Sequence, residues 1–179
     1  MDMAEGLYFR REDYAGFWLR LWVDLIDVSL VSCICIALAI ALWVTLPTML
    51  NLEYAILSGC AIVVFSYFVA LKRTRTGTPG YIVGGVRIIG LNGELPGWYP
   101  LILRLLFALL GPMNPVVDSV WISNDRHRQA LRDKFARTYV IKKNAQPIGT
   151  GKIVYRHYDV FAWNFIFREV EPRSDTRST

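Results

Sequence analysis

Two uncharged apolar runs dominate the pattern of hydrophobic and polar positions, Val28 to Leu46 and Tyr54 to Leu71. Neither shows the period-3.6 alternation of a helix half-covered by a soluble core. A helix rises about 1.5 Å per residue, so each run comes close to crossing a hydrocarbon layer of about 30 Å. Helices are predicted over residues 17–46 and 54–71. The first is longer than a bilayer needs, so its opening turns lie among headgroups or the helix tilts. A cleaved leader fits this run poorly: it starts late, is long, and ends on Trp43 and Pro47 where small residues would precede cleavage. The turn from Pro47 to Glu53 contains no Lys or Arg and is expected to face outward, whereas Arg10, Arg11, Lys72 and Arg73 mark the cytoplasmic side.

A third apolar stretch, residues 98–122, carries Arg104 and Asp118 and is interrupted by Gly111-Pro112-Met113-Asn114-Pro115. The two prolines remove backbone donors and clash with the preceding turn, which disfavours one straight helix. Basic residues flank both ends, which predicts two short helices over 98–110 and 116–122 that dip in and return. Between the second and third stretches, Thr76-Gly77-Thr78-Pro79-Gly80 reads as a turn, Val86-Arg87-Ile88-Ile89 as a short strand, and Asn92-Gly93 as a tight turn tolerant of positive φ. These predict a small cytoplasmic β-hairpin over residues 81–97, with Thr138 to Ile141 as a further strand able to pair with it.

The fold class is therefore a mainly α membrane protein: two transmembrane helices, a broken or re-entrant helical hairpin, and a small cytoplasmic β-hairpin. Residues 1–16 form a cytoplasmic segment, 17–143 the membrane domain, and 144–179 an aromatic-rich extension with a disordered end. In the extension, Phe161, Trp163, Phe165 and Phe167 alternate as in a strand, while Phe161 and Phe165 also share a helix face. With Tyr155 and Tyr158 they supply the aromatic surface typical of a partner contact. Deleting residues 152–179 is expected to leave the membrane domain inserted and folded and to release it from any complex it joins.

Composition narrows the function. The 179 residues leave room for one domain, 54% are hydrophobic, and the net charge of +5 belongs to membrane flanks rather than to a nucleic-acid surface. Cys33, Cys35 and Cys60 lie inside apolar runs and read as small buried residues, so neither a disulfide nor a metal site is expected. His127 and His157 lack spaced partners, and Gly149-Thr150-Gly151-Lys152 has Gln146 where a phosphate loop needs glycine, so it reads as a flexible turn. No cofactor and no enzymatic activity are expected. The expected setting is a bacterial inner membrane, with both termini cytoplasmic and the lipid bilayer plus a homo-oligomer or larger membrane complex as partners.

The first helix opens with Arg20, Asp24 and Asp27. At 100° per residue Asp24 and Asp27 lie within about 40° of Arg20, so the three share a narrow face. A lone ion in hydrocarbon costs about 2.5 to 3.5 kcal/mol, and a self-paired stripe lowers that cost. Two readings stand: an ion or proton site, or a clamp in which Arg20 pairs with Asp24 while Asp27 bonds another helix or Arg104. Likewise, Arg104 and Asp118 either meet across the broken hairpin or lie separately near the interface.

This opening resembles the RDD family of membrane proteins, named for one Arg and two Asp. Arg20 and Asp27 match the family's spacing in the first helix, and Asp133, within Arg128-Gln129-Ala130-Leu131-Arg132-Asp133, takes the place of the second Asp. Thr78-Pro79-Gly80 and Gly85-Val86-Arg87-Ile88 look like the family's Gly-rich turn and strand. The chain departs from the pattern at Arg132, where His is usual, at Arg137, where Gly is usual, and at Tyr81, where a basic residue is usual; Asp24 is an additional acid. The resemblance implies transport of ions or small solutes, with sodium–proton exchange suggested for some members. Asp133 is expected to tie the cytoplasmic segment to Arg20. An accessory or assembly subunit of a larger membrane complex is the competing reading.

Overall fold

The computed structural model describes residues 5–48, 50–109, 118–119, 121–122, 125, 127–160 and 163–172. The two long apolar helices are present. Helix α1 (Phe17–Thr45) is 29 residues long, about 43 Å. It buries Arg20, Val23, Asp27 and Val31, a single stripe confined to its first half. Past that stripe both helices keep exposed apolar side chains such as Ile36, Ile40, Leu57 and Ile62, as lipid contact requires.

Helix α2 (Leu52–Phe65) returns alongside α1, with Gly59 leaving room for Leu38. A π-helical turn (Ser66–Ala70) and a 3-10 turn (Leu71–Arg73) continue it. The extra residue of a π turn rotates the face that follows, and here Tyr67 and Val69 are buried. Helix α3 (Pro79–Val83) then runs against α1. A β-carbon at Gly80 would lie 2.6 Å from the Val23 carbonyl and 2.5 Å from an Asp27 oxygen, so only glycine permits this approach.

Strand β2 (Val86–Gly90) does not return through the Asn92-Gly93 turn into a hairpin of its own. It pairs antiparallel with β3 (Thr138–Lys142), Ile88 opposite Val140. The start of the expected hairpin, residues 81–83, belongs to helix α3. The Asn92-Gly93 turn does form, with Gly93 at φ 84° and Gly90 N–H bonded to Glu94 O at 2.8 Å. The chain leaving it goes to helix α4 (Trp98–Ala108) rather than back along β2. A distant strand wins because the β2–β3 ribbon is covered on both sides. Val86, Ile88 and Val140 pack with Val23, Val69 and Leu101, while Ile89, Tyr139 and Ile141 pack with Phe9, Tyr14 and Val170.

Helix α5 (Leu131–Ala136) precedes β3 and ends on Arg137 in the left-handed region at φ 54°. That conformation is why glycine suits this position. A three-stranded sheet closes the structure: β1 (Glu5–Tyr8), β4 (Gly149–Val160) and β5 (Trp163–Pro172), in the order β1-β4-β5. Gly149 to Lys152, expected as a flexible turn, is thus strand, paired with Tyr8 to Glu5. The Gly111 to Pro115 break and residues 116, 117 and 120 of the expected 116–122 helix lie outside the described residues.

Candidate functional site

Where the helices meet the sheets, α1, the 3-10 turn, α4 and α5 bring seven charged side chains into one layer, Arg20, Asp24, Asp27, Lys72, Arg104, Arg132 and Asp133, and Asp118 makes an eighth. At its centre Asp133 is fully buried. Its carboxylate accepts from Arg20 and from Arg104, and from the Ala130 N–H at 3.1 Å, where it caps α5. The Arg20 guanidinium is held further by Ala15 O and Arg128 O, each at 2.8 Å, and Arg104 also donates to Thr138 Oγ1 at 3.0 Å. Burial alone would raise the Asp133 pKa, but Arg104, Arg20 and Arg132 outweigh it and hold the carboxyl well below the usual range.

Asp27 is likewise fully buried. Oδ1 accepts from Tyr67 Oη and from Gly80 N–H, both at 2.8 Å, and Oδ2 accepts from Thr78 Oγ1 at 2.6 Å. Lys72 Nζ stands 3.8 Å from Oδ2 and lies over the rings of Phe68 and Tyr81. Asp27 therefore joins α1, the π turn and the start of α3 through one carboxylate. A buried charge satisfied to this degree is a strong local tie, and removing either side leaves an uncompensated group.

The third cluster is Arg132 between two acids: Nη2 bonds Asp24 Oδ2 at 2.5 Å, and Nε lies 3.2 Å from Asp118 Oδ2. Next to it Lys134 sits between Asp125, at 2.6 Å, and Glu169 of β5, which also accepts from Tyr158. Burial would lower the Lys134 pKa, but Asp125 and Glu169 raise it above the ordinary value; Glu169 is pulled down by Lys134 and Tyr158 against the effect of burial.

The expected charge cluster is brought together: Asp133 ties to Arg20 and Asp27 bonds elements beyond the first helix, as expected, while the other partners differ. Arg20 meets Asp133 and not Asp24; Asp24 meets Arg132; Asp27 bonds Tyr67, Thr78 and Gly80 and not Arg104. Of the two readings of Arg104 and Asp118, the direct pair does not form: Arg104 bonds Asp133, and Asp118 faces Arg132. Cations outside the first helix neutralise its acids, because Arg20, although within i,i+4 reach of Asp24, is held on Asp133, Ala15 O and Arg128 O. Lys72 is legible only as a basic flank, Arg132 only as a basic flank and a departure from the family pattern, and Thr78-Pro79-Gly80 only as a turn. Nothing in the sequence couples Lys134 to Glu169.

The aromatic extension also differs from expectation. Tyr158, Phe165 and Phe167 lie on the face of β4–β5 that turns onto the domain. Phe167, 4% exposed, meets Phe135 at 5.1 Å and Trp121 at 6.1 Å between ring centroids, and Phe165 meets Phe135 at 6.0 Å. These three therefore pack within the chain. Tyr155, on the other face, is 61% exposed. Phe161 and the Trp163 side chain lie outside the described residues.

Above the charged layer, a cavity of about 500 Å³ opens between α1, α2 and α4. Asp24, Lys72, Arg104 and Arg132 form its floor. Val28 and Val31 of α1, Val64 of α2, and Leu101 and Leu105 of α4 form its walls. Among the described residues, no group of His, Cys, Asp and Glu is arranged to hold a metal.

No curated protein and no solved structure matches the chain. The model of the RDD family matches residues 14–137. That span is more than half of the chain and includes Arg20, Asp27 and Asp133, together with the Thr78-Pro79-Gly80 turn that closes on Asp27. This membrane chain belongs to the RDD family.

Proposed function

We propose that the protein is a non-enzymatic transport component for an ion or small solute, cation–proton exchange included, and that it acts as an oligomer. The observation that carries this reading is the cavity with an ionisable floor at the junction of the apolar helices and the charged layer. Charged side chains beside a cavity at membrane depth mark solute pathways more often than they serve packing alone. Among the described residues, two long apolar helices and one short one do not enclose a pathway, so several copies are needed.

The same reading places the protein in a bacterial inner membrane with the charged layer and both termini in the cytoplasm. Lys72, Arg73, Arg75, Arg87, Lys142 and Lys143 cluster at that end, and the turn after α1 carries no basic residue. Reconstitution into liposomes with an entrapped pH-sensitive dye tests the function. Imposed sodium or potassium gradients should drive a proton signal that Asp24→Asn reduces while the protein still elutes as folded. Flux no greater than in empty liposomes, for every ion and solute tried, would sink the reading.

A second reading, an accessory subunit of a larger complex, is supported by Tyr155 and Ile166, exposed apolar side chains on the outward face of β4–β5. Unlike chains co-purifying in stoichiometric amount after gentle extraction would favour it, and a homo-oligomer would favour transport.

A further inference from the structure

The charges that face the cavity are unequal. Lys72, Arg104 and Arg132 line it, against Asp24 as the one acid among its described lining residues. The other three acids of the layer, Asp27, Asp118 and Asp133, bond the same cations from behind and do not line the space. The layer as a whole is balanced, Arg20, Lys72, Arg104 and Arg132 against Asp24, Asp27, Asp118 and Asp133, but three of the four charged side chains that face the space are cations. Above it the walls are hydrocarbon: from Asp24 to Ser32 the lining of α1 rises about 12 Å, and from Leu101 to Leu109 that of α4 rises as far.

Lys72 has hydrogen-bonding capacity to spare. An ammonium carries three donors. Its only ion pair among the described residues is with Asp27, long at 3.8 Å, and the rings of Phe68 and Tyr81, at 5.0 and 4.7 Å, hold its charge without accepting a full hydrogen bond. A compact anion at the floor would take those donors at charge-assisted strength. A hydrophilic anion would leave the aliphatic walls without a partner, and a neutral lipid would leave the ammonium unmatched.

We infer that the cavity binds an anionic amphiphile, its carboxylate or phosphate on Lys72 and the arginine edge of the floor, its hydrocarbon chain along α1 and α4. This deepens the transport reading, on which it rests for the idea that the cavity is a solute site, by naming the class of solute. A free fatty acid and a lysophospholipid share that chemistry.

The full chain, purified in a non-ionic detergent, would be titrated with dansyl-undecanoate, whose fluorescence reports burial of the probe, and then challenged with oleate, oleoyl lysophosphatidate or monoolein. The probe should bind saturably, and at least one anion should displace it about tenfold more effectively than uncharged monoolein, the factor expected for one charge-assisted hydrogen bond. Whichever anion displaces better names the headgroup; equal displacement supports the shared chemistry. Lys72→Gln should weaken probe binding by about the same factor. Ala108→Phe, at the exposed end of α4 and away from the Asp27 tie, should fill the groove and abolish saturable binding even if the lysine variant fails to fold. Displacement by monoolein equal to that by the anions, or unchanged binding in Ala108→Phe, overturns the inference. Ion flux in liposomes without anion-selective binding would sink this inference and leave the transport reading standing; anion-selective binding without flux would do the reverse.

Discussion

Arg132 Nη2 donates to Asp24 Oδ2 at 2.5 Å across 108 residues of chain. Each of the two is a departure from the family pattern, an Arg in place of His and an acid in addition to the usual pair, and the structure makes them partners. The added positive charge of Arg132 lies against the added negative charge of Asp24, with Asp118 on its other side.

The two substitutions are therefore expected to be coupled. Arg132→His and Asp24→Asn should each lower the unfolding temperature in detergent. The double variant, which removes both departures, should lose less than the sum, with a coupling energy on the order of 1 to 3 kcal/mol. Additive losses in the double-mutant cycle would show that the contact carries no net stability.

Asp27→Asn should be more damaging than Asp24→Asn. Asp27 accepts from two hydroxyls and one backbone N–H and faces Lys72, whereas Asp24 is partly open to the cavity. Removing the Asp27 charge leaves a buried ammonium without its anion, a loss of about 3 kcal/mol or more. Gly80→Ala should reproduce the defect with every charge in place, since its β-carbon would strike the same carboxylate. Yields of folded, monodisperse protein decide this, and equal yields for all three variants would contradict it.

Arg137→Gly should stabilise the protein by about 1 kcal/mol, because Arg137 is exposed and held at φ 54°, where a β-carbon is strained. A melting temperature unchanged or lowered by the substitution would count against the left-handed cap on α5.

Stability should fall at both ends of the pH range. Asp133 and Glu169 have folded pKa values below their ordinary 3.8 and 4.5, so their contribution is complete above those values and is lost as pH falls toward the depressed folded ones. Lys134 is raised above 10.5, so its contribution is complete below that value and is lost as pH rises through the folded one. Melting curves from pH 2 to 12 should show a plateau between two falling limbs. Glu169→Gln should shrink both limbs, since it removes one acid and one support of Lys134.

Phe167→Ala should cost about 3 to 5 kcal/mol, as for a large aromatic removed from a core. Deleting the chain from Gly149 should prevent the domain from folding. Without β4 and β5, Lys134 keeps Asp125 but loses Glu169 and Tyr158, and Phe135 and Trp121 are uncovered. This replaces the expectation that the extension can be shed. A truncated protein that still elutes as a folded species would show that the aromatic packing is dispensable.

Much of the architecture was legible along the chain. Length and polarity alone give α1 and α2, because hydrocarbon accepts only long helices without charge. The family pattern picks out Arg20, Asp27 and Asp133. The strand character of Val86 to Ile89 and of Thr138 to Ile141 is likewise local. What sequence order does not contain is who meets whom. The β2–β3 pairing spans some fifty residues, and it is chosen because two apolar clusters cover the ribbon from both sides, not because a turn leads one strand into the other. The ion pairs follow the same logic. Short Asp side chains on one helix face reach the cations that packing brings opposite them, so Asp24 finds Arg132, Asp27 finds Lys72, and Asp133 lies between Arg20 and Arg104. The alternation of Phe165 and Phe167 sets a strand and puts both on one face; only contact with Phe135 and Trp121 decides that this face looks inward. Local composition fixes which segments can enter the membrane, while the need to neutralise each buried charge and cover each apolar face, a condition on all segments at once, fixes their partners.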